Sequence, residues 1–274
     1  PGRTYILDNV NISGNGDRGV VITQGGDYSF YDCTIDNNAR GFVVEGFGRE
    51  ATILISGGSI SGNATVGLQP DGAEGGHFIT CSGVEINSNG EYGVGLFSQG
   101  TYTFTSCDIK YNTLEGFVRF YNDNGSASDI IMRNCDISEN EKIGILTIGS
   151  FDDPSRVNIT MEDCIMNSNS VAGASQGNFL FLGEGVQNLT ARKCQFIQGN
   201  GIEDNVASAS AGTLQMENCL FDGGSQADAP TTSGVVKIVS AAVGNSFGDV
   251  ELNLYHCTVV NGEESGVAVS VDDE

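Results

Sequence analysis

The chain has 274 residues, and 12 Lys or Arg against 35 Asp or Glu leave a formal charge of −23. A surface this acidic repels phosphate backbones and anionic lipid, so nucleic acid is excluded as a partner. No stretch approaches the ~18 uninterrupted apolar residues that a membrane helix needs, which argues against membrane insertion. At 39% apolar residues the chain carries enough greasy side chains for a core, and 39 glycines with only 4 prolines point to many turns rather than to disorder. The chain opens at Pro1 without a charged-then-apolar leader, and residues 1–274 read as one domain that is a segment of a longer, mature protein.

Alignment on the cysteines exposes an internal repeat. "CDIKYNTLEGF" from Cys107 recurs as "CDISENEKIGI" from Cys135 and, more loosely, as "CIMNSNSVAGA" from Cys164. The unit is Φ-x-Φ-x-n-C-x-Φ-x-x-N-x-x-x-G-Φ-x-Φ, with Φ apolar and n small or polar. Its central apolar position falls at Ile12, Ile35, Ile60, Ile86, Ile109, Ile137, Met166, Phe196, Phe221 and Val259. The Asn three places later is Asn15, Asn38, Asn63, Asn89, Asn112, Asn140 and Asn169, and the Gly that restarts the apolar run is Gly19, Gly41, Gly67, Gly93, Gly116, Gly144 and Gly173.

Within each copy apolar residues alternate, with β-branched and aromatic enrichment, which is a strand signal. The first strand is Φ-x-Φ, as in Tyr28 and Phe30. Its parity shifts at a two-residue bend whose second member is Asn9, Asp32, Gly57, Gly83, Asn134, Asp163 or Asn218 in seven of the ten copies, residue types that tolerate a left-handed backbone. The second strand carries the Cys, the Asn turn follows, and the third strand begins after the Gly. A unit this short cannot bury its own apolar side, so copies must stack into a solenoid with one shared interior.

The n-C-x-Φ-x-x-N-x-x-x-G-Φ unit resembles the repeat of the right-handed, pectin-lyase-like parallel β-helix superfamily. The resemblance implies an all-β fold, a single-stranded right-handed parallel β-helix of about ten coils with three short strands per coil. It says little about activity, because that superfamily spans lyases, hydrolases, epimerases, tailspikes, adhesins and inert surface proteins.

A row of seven amides in a stacked fold is expected to form a ladder that satisfies turn backbone groups. Cys107, Cys135, Cys164, Cys194, Cys219 and Cys257 share one inward position on successive coils, with Cys33 at the same place earlier and Cys81 in the slot held elsewhere by Phe30 or Met216. In-register strands about 4.8 Å apart hold Cβ atoms too far apart for disulfides, so these are expected to be buried thiols behaving as small hydrophobes. No C-x-x-C pair or Cys/His cluster suggests a metal. His77 falls in a variable loop and His256 at a bend, and both are expected at turns or on the surface.

Loops between the third strand of one copy and the first of the next vary most, and they are expected to line one edge. They carry carboxylates, among them Asp71, Glu74, Asp123, Asp152 and Asp153, which are the candidate binding residues. Such oxygen density suits calcium, and it equally suits a solvated edge that blocks sideways aggregation; the second reading is preferred, with no cofactor required. The N-T-D, G-H-G and R-I-K motifs of polygalacturonases, the D-P-H of mannuronan epimerases and the R-x-P-x-x-R of pectate lyases are absent. Arg119 and Tyr121 facing Asp152 and Asp153 one coil away form the best catalytic constellation on offer. The expectation is a non-catalytic rigid, adhesive or glycan-binding segment of an extracellular or cell-surface protein, gripping polysaccharide or another protein chain along the loop edge. A polysaccharide lyase or hydrolase working at that edge is the alternative. Without amphipathic caps in the sequence, end-to-end association is expected too.

Overall fold

In a computed structural model the described residues are 3–45, 50–71, 76–119, 128–148, 156–169, 179–182, 186–197, 202–207, 212–222, 236–241, 250–260 and 267–272. They form an all-β solenoid whose neighbouring strands pair in parallel and in register. One ten-stranded sheet runs from Thr4–Asp8 to Val250–Tyr255, and a second ten-stranded sheet runs from Arg18–Ile22 to Val267–Asp272. Each of ten coils therefore gives one strand to each, called here the first and third sheets. The strip between them is thinner than the repeat unit predicts. It holds proper strands at its two ends, such as Thr34–Asp36 and Ile165–Asn167. In coils 3 to 6 it narrows to single bridges through Ser59, Glu85, Asp108 and Asp136. Left-handed residues bracket this segment both where it is a strand, as Asp32 and Asn37 or Asp163 and Ser168 do, and where it is a bridge, as Ser106 and Tyr111 or Asn134 and Glu139 do.

All ten bends between the first and second strands have a positive φ. Asn9, Asp32, Gly57, Gly83, Asn134, Asp163 and Asn218 follow the sequence pattern, while Ser106, Lys193 and His256 adopt the same conformation at φ 53°, 53° and 54°, the first two without a residue type that favours it. Stacking against neighbours that already turn in this way outweighs the local preference of ~1–2 kcal/mol. Inside the solenoid, side chains pile in columns. Phe30, Ile55, Cys81, Phe104, Met132, Met161, Ala191 and Met216 succeed one another in register in the first sheet. Phe196 and Phe221 stack with ring centres 5.0 Å apart.

The asparagine ladder is present. Asn89 Nδ2 donates to Asn112 Oδ1 (3.1 Å) and to the Ile60 carbonyl (3.2 Å), and its Oδ1 accepts from the backbone N and Nδ2 of Asn63. The same pattern runs from Asn38 to Asn169. It also explains the repeated glycine. A Cβ on Gly93 would stand 2.7 Å from Asn112 Nδ2 and 2.6 Å from the Gly116 carbonyl, so the ladder amides occupy the space that any side chain would need.

All eight cysteines are free, and Cys81 lies between Ile55 and Phe104 in the column expected for it. In the cysteine column proper, each thiol donates weakly to the carbonyl two residues earlier, for example Cys107 to Thr105 (3.5 Å) and Cys194 to Arg192 (3.3 Å). Burial raises the Cys81 thiol far above its ordinary range.

Two measurements check this account. Asn89→Ala strands the Asn63 donors, the Ile60 carbonyl and the Asn112 acceptor inside the turn, and should lose about 3 kcal/mol or more in urea unfolding. Asn15→Ala, at the exposed end, should lose less than about 1 kcal/mol, and equal losses would refute the ladder's role. Thiol titration under non-reducing conditions should count eight groups after unfolding. In the native state only Cys257, which is half-buried, should react at an appreciable rate.

Candidate functional site

Every connection from a third-sheet strand to the next first-sheet strand leaves from one edge, as expected from the loop variability. Leu68–Pro70 leads to His77–Ser82, Val94–Leu96 to Gly100–Thr105, and Phe117–Arg119 to Ser128–Arg133. Of the candidate binding residues, Asp71 is described. It is half-buried just past Pro70, its backbone N donates to the Val44 carbonyl (2.7 Å), and Gln69 Nε2 reaches its Oδ2 at 3.5 Å. Glu74, Tyr121, Asp123, Asp152 and Asp153 lie outside the described residues. Among the described residues, no three His, Cys, Asp or Glu side chains gather as metal ligands.

Arg119 is not on the exposed edge. It shares the parity of Phe117, which points into the core, and is only 2% exposed. Its Nη1 donates to the Leu96 carbonyl (3.3 Å) and its Nη2 to Ser128 Oγ (3.1 Å). The guanidinium of Arg119 thus belongs to the interior, while Tyr121, Asp152 and Asp153, its partners in the expected catalytic constellation, lie outside the described residues. His77 is a second correction. Rather than a loop or surface residue, it opens the strand His77–Ser82 with His77, Ile79 and Cys81 turned inward, and it is 0% exposed. Burial lowers its pKa. His256 does sit exposed at its bend, as expected.

Around these two lies a polar corner spanning coils 4 to 6. The Tyr102 hydroxyl donates to the Ser98 carbonyl (2.8 Å) or the Gln99 carbonyl (3.0 Å) and pairs with Ser98 Oγ (2.9 Å). The Gln99 carbonyl also accepts the His77 backbone N at 3.2 Å. Burial pushes Tyr102 up to about 12, so the phenol stays protonated, and burial lowers the Arg119 pKa as well. Alternation in "HFITC" and "GFVR" was the available signal for both inward side chains. Variable loop length hides it, because it obscures where each strand begins.

The outer face of the third sheet is greasy, as its sequence suggests, and partly covered by the chain itself: Val118 and Leu146 pack with Ile143 and Tyr92. Sequence reasoning did not single out the outer face of the first sheet. In coils 3 to 5 it presents nine uncharged side chains in three aligned columns. Thr52, Phe78 and Thr101 form the first, Leu54, Thr80 and Thr103 the second, and Ser56, Ser82 and Thr105 the third. Thr52, Phe78 and Thr80 are exposed and the others half-buried. Charges border the patch: Asp27 aligns with Thr52 on one side, and Asp129 and Arg133 with Thr101 and Thr105 on the other.

No curated protein matches this sequence. The crystal structure of pectate lyase Pel9A is similar in fold, with a TM-score of 0.57 at 13% identity, covering 94% of this chain and 70% of that one. That likeness concerns the fold alone. The family signature described as "Right handed beta helix region" matches residues 72–273, most of the chain. With the coils stacked in register and the signature spanning nearly three quarters of its length, the chain belongs to the right-handed parallel β-helix family.

Proposed function

We propose that this chain is a rigid, non-catalytic β-helical segment of an extracellular or cell-surface protein, and that it binds a neutral polysaccharide where the loop edge meets the first sheet. The observation that carries the reading is the uncharged face of coils 3 to 5. In a chain of net charge −23, nine aligned positions without a charge form a surface for a partner that is itself uncharged. Phe78, 46% exposed, offers a ring face against which a sugar ring can stack, and it is flanked by Thr and Ser hydroxyls repeating at the coil spacing of about 4.8 Å. Columns of hydroxyls at a fixed spacing suit a polymer with many hydroxyls of its own. Asp71 at the loop edge then adds negative charge that disfavours polyuronates and helps keep the rod soluble, a role also proposed for Glu74, Asp123, Asp152 and Asp153.

The enzymatic alternative draws on the likeness to a pectate lyase, and it keeps Asp152 and Asp153 at the edge. Burial of Arg119 deprives it of the basic partner it was given in sequence. A screen of neutral and uronate polysaccharides, with and without calcium, separates the two. Binding to a neutral polysaccharide without release of unsaturated or reducing ends is expected. Phe78→Ala should weaken that binding about tenfold, or about 1.4 kcal/mol, and leave the fold intact. Release of unsaturated ends from a polyuronate, lost on Asp153→Ala, would overturn the proposal.

A further inference from the structure

The buried polar corner plays no part in that reading, and its hydrogen bonding does not balance. Arg119 remains a cation at any ordinary pH. The acceptors that its Nη atoms meet, the Leu96 carbonyl and Ser128 Oγ, are neutral, and its Nε has no partner. Among the described residues no carboxylate lies within ion-pair distance of it. A buried charge with neither counter-charge nor full hydrogen bonding is disfavoured by several kcal/mol. His77, fully buried one coil below Gly100, has no partner on either ring nitrogen, and in its neutral form one of those nitrogens carries a hydrogen that needs an acceptor. Tyr102 and Ser98 add hydroxyls at the same corner, and the Gln99 carbonyl is already taken by the His77 backbone and within reach of Tyr102. Among the described residues, the corner has a surplus of donors and a net positive charge.

We propose that the interior corner formed by His77, Ser98, Tyr102, Arg119 and Ser128 is a binding site for a small monatomic anion of the halide class. Water would satisfy hydrogen bonds and leave the charge uncompensated, and a metal cation would add to it. A halide supplies negative charge and accepts from several directions at once, which suits donors that come from three successive coils. The site is distinct from the exposed glycan face and independent of it.

Bromide in place of chloride in crystals of the protein provides the direct test. An anomalous peak within hydrogen-bonding reach of Arg119 Nε is expected. In solution, the unfolding temperature should rise saturably with chloride against gluconate at matched ionic strength. Arg119→Met should abolish that dependence, and His77→Phe, which keeps the cation, should weaken the apparent chloride affinity about tenfold. Identical unfolding temperatures in the two salts would overturn the proposal. So would a corner occupied by water alone, or by a carboxylate of the chain set against Arg119.

Discussion

Each ladder asparagine from Asn38 to Asn140 bonds both to its counterpart on the next coil and back to a carbonyl of the previous one, and this fixes the register of the solenoid. Once Asn63, Asn89 and Asn112 are aligned, the apolar residue three places before each and the glycine four places after it are aligned as well. Parallel strands whose side chains alternate in and out cannot slip by one residue without turning every inward column outward. The ladder is therefore the constraint under which the phenylalanine, methionine and cysteine columns can be packed at all. It weakens toward the start of the chain, where Asn15 is exposed and its amide has only the forward bond to Asn38.

Much of this was legible in the sequence because repetition turns a weak local signal into a strong one. A single Asn or Gly says little, but seven in the same phase demand a shared geometry, and the ladder and the close approach at Gly93 are that geometry. Cysteines in one phase of the strand pattern read as a column for the same reason. Two things escaped this logic. The left-handed residue before each ladder Asn includes Ser88, Tyr111 and Glu139, none of which advertises a positive φ, because the stack and not the residue imposes the turn. The inward placement of His77 and Arg119 was hidden at the loop edge. There the connections differ in length from coil to coil, so phase cannot be carried across them.

The two corrected residues change how the loop edge is understood. Basic groups expected at a surface instead lie beneath it, and the outer face of the first sheet in coils 3 to 5 is left to hydroxyls, one leucine and one phenylalanine. The scaffold separates its chemistry by depth. A buried cation lies at one interior corner, while the first-sheet face beside it is uncharged within a strongly acidic molecule. Loops of variable length can then alter the border without disturbing the columns, since each coil depends only on its neighbours.

The sulfur column has a further consequence for how the chain reaches its native state. Eight unpaired thiols in an unfolded polypeptide invite mispairing wherever an oxidant is present, and no native disulfide exists to draw the equilibrium back. Coil-by-coil assembly removes this hazard stepwise, because docking each new coil sequesters one more sulfur from attack. In an oxidising compartment the yield of this protein is set by a race between stacking and oxidation, and a substitution that slows propagation along the solenoid would lower yield through scrambled covalent links even where the finished fold is stable.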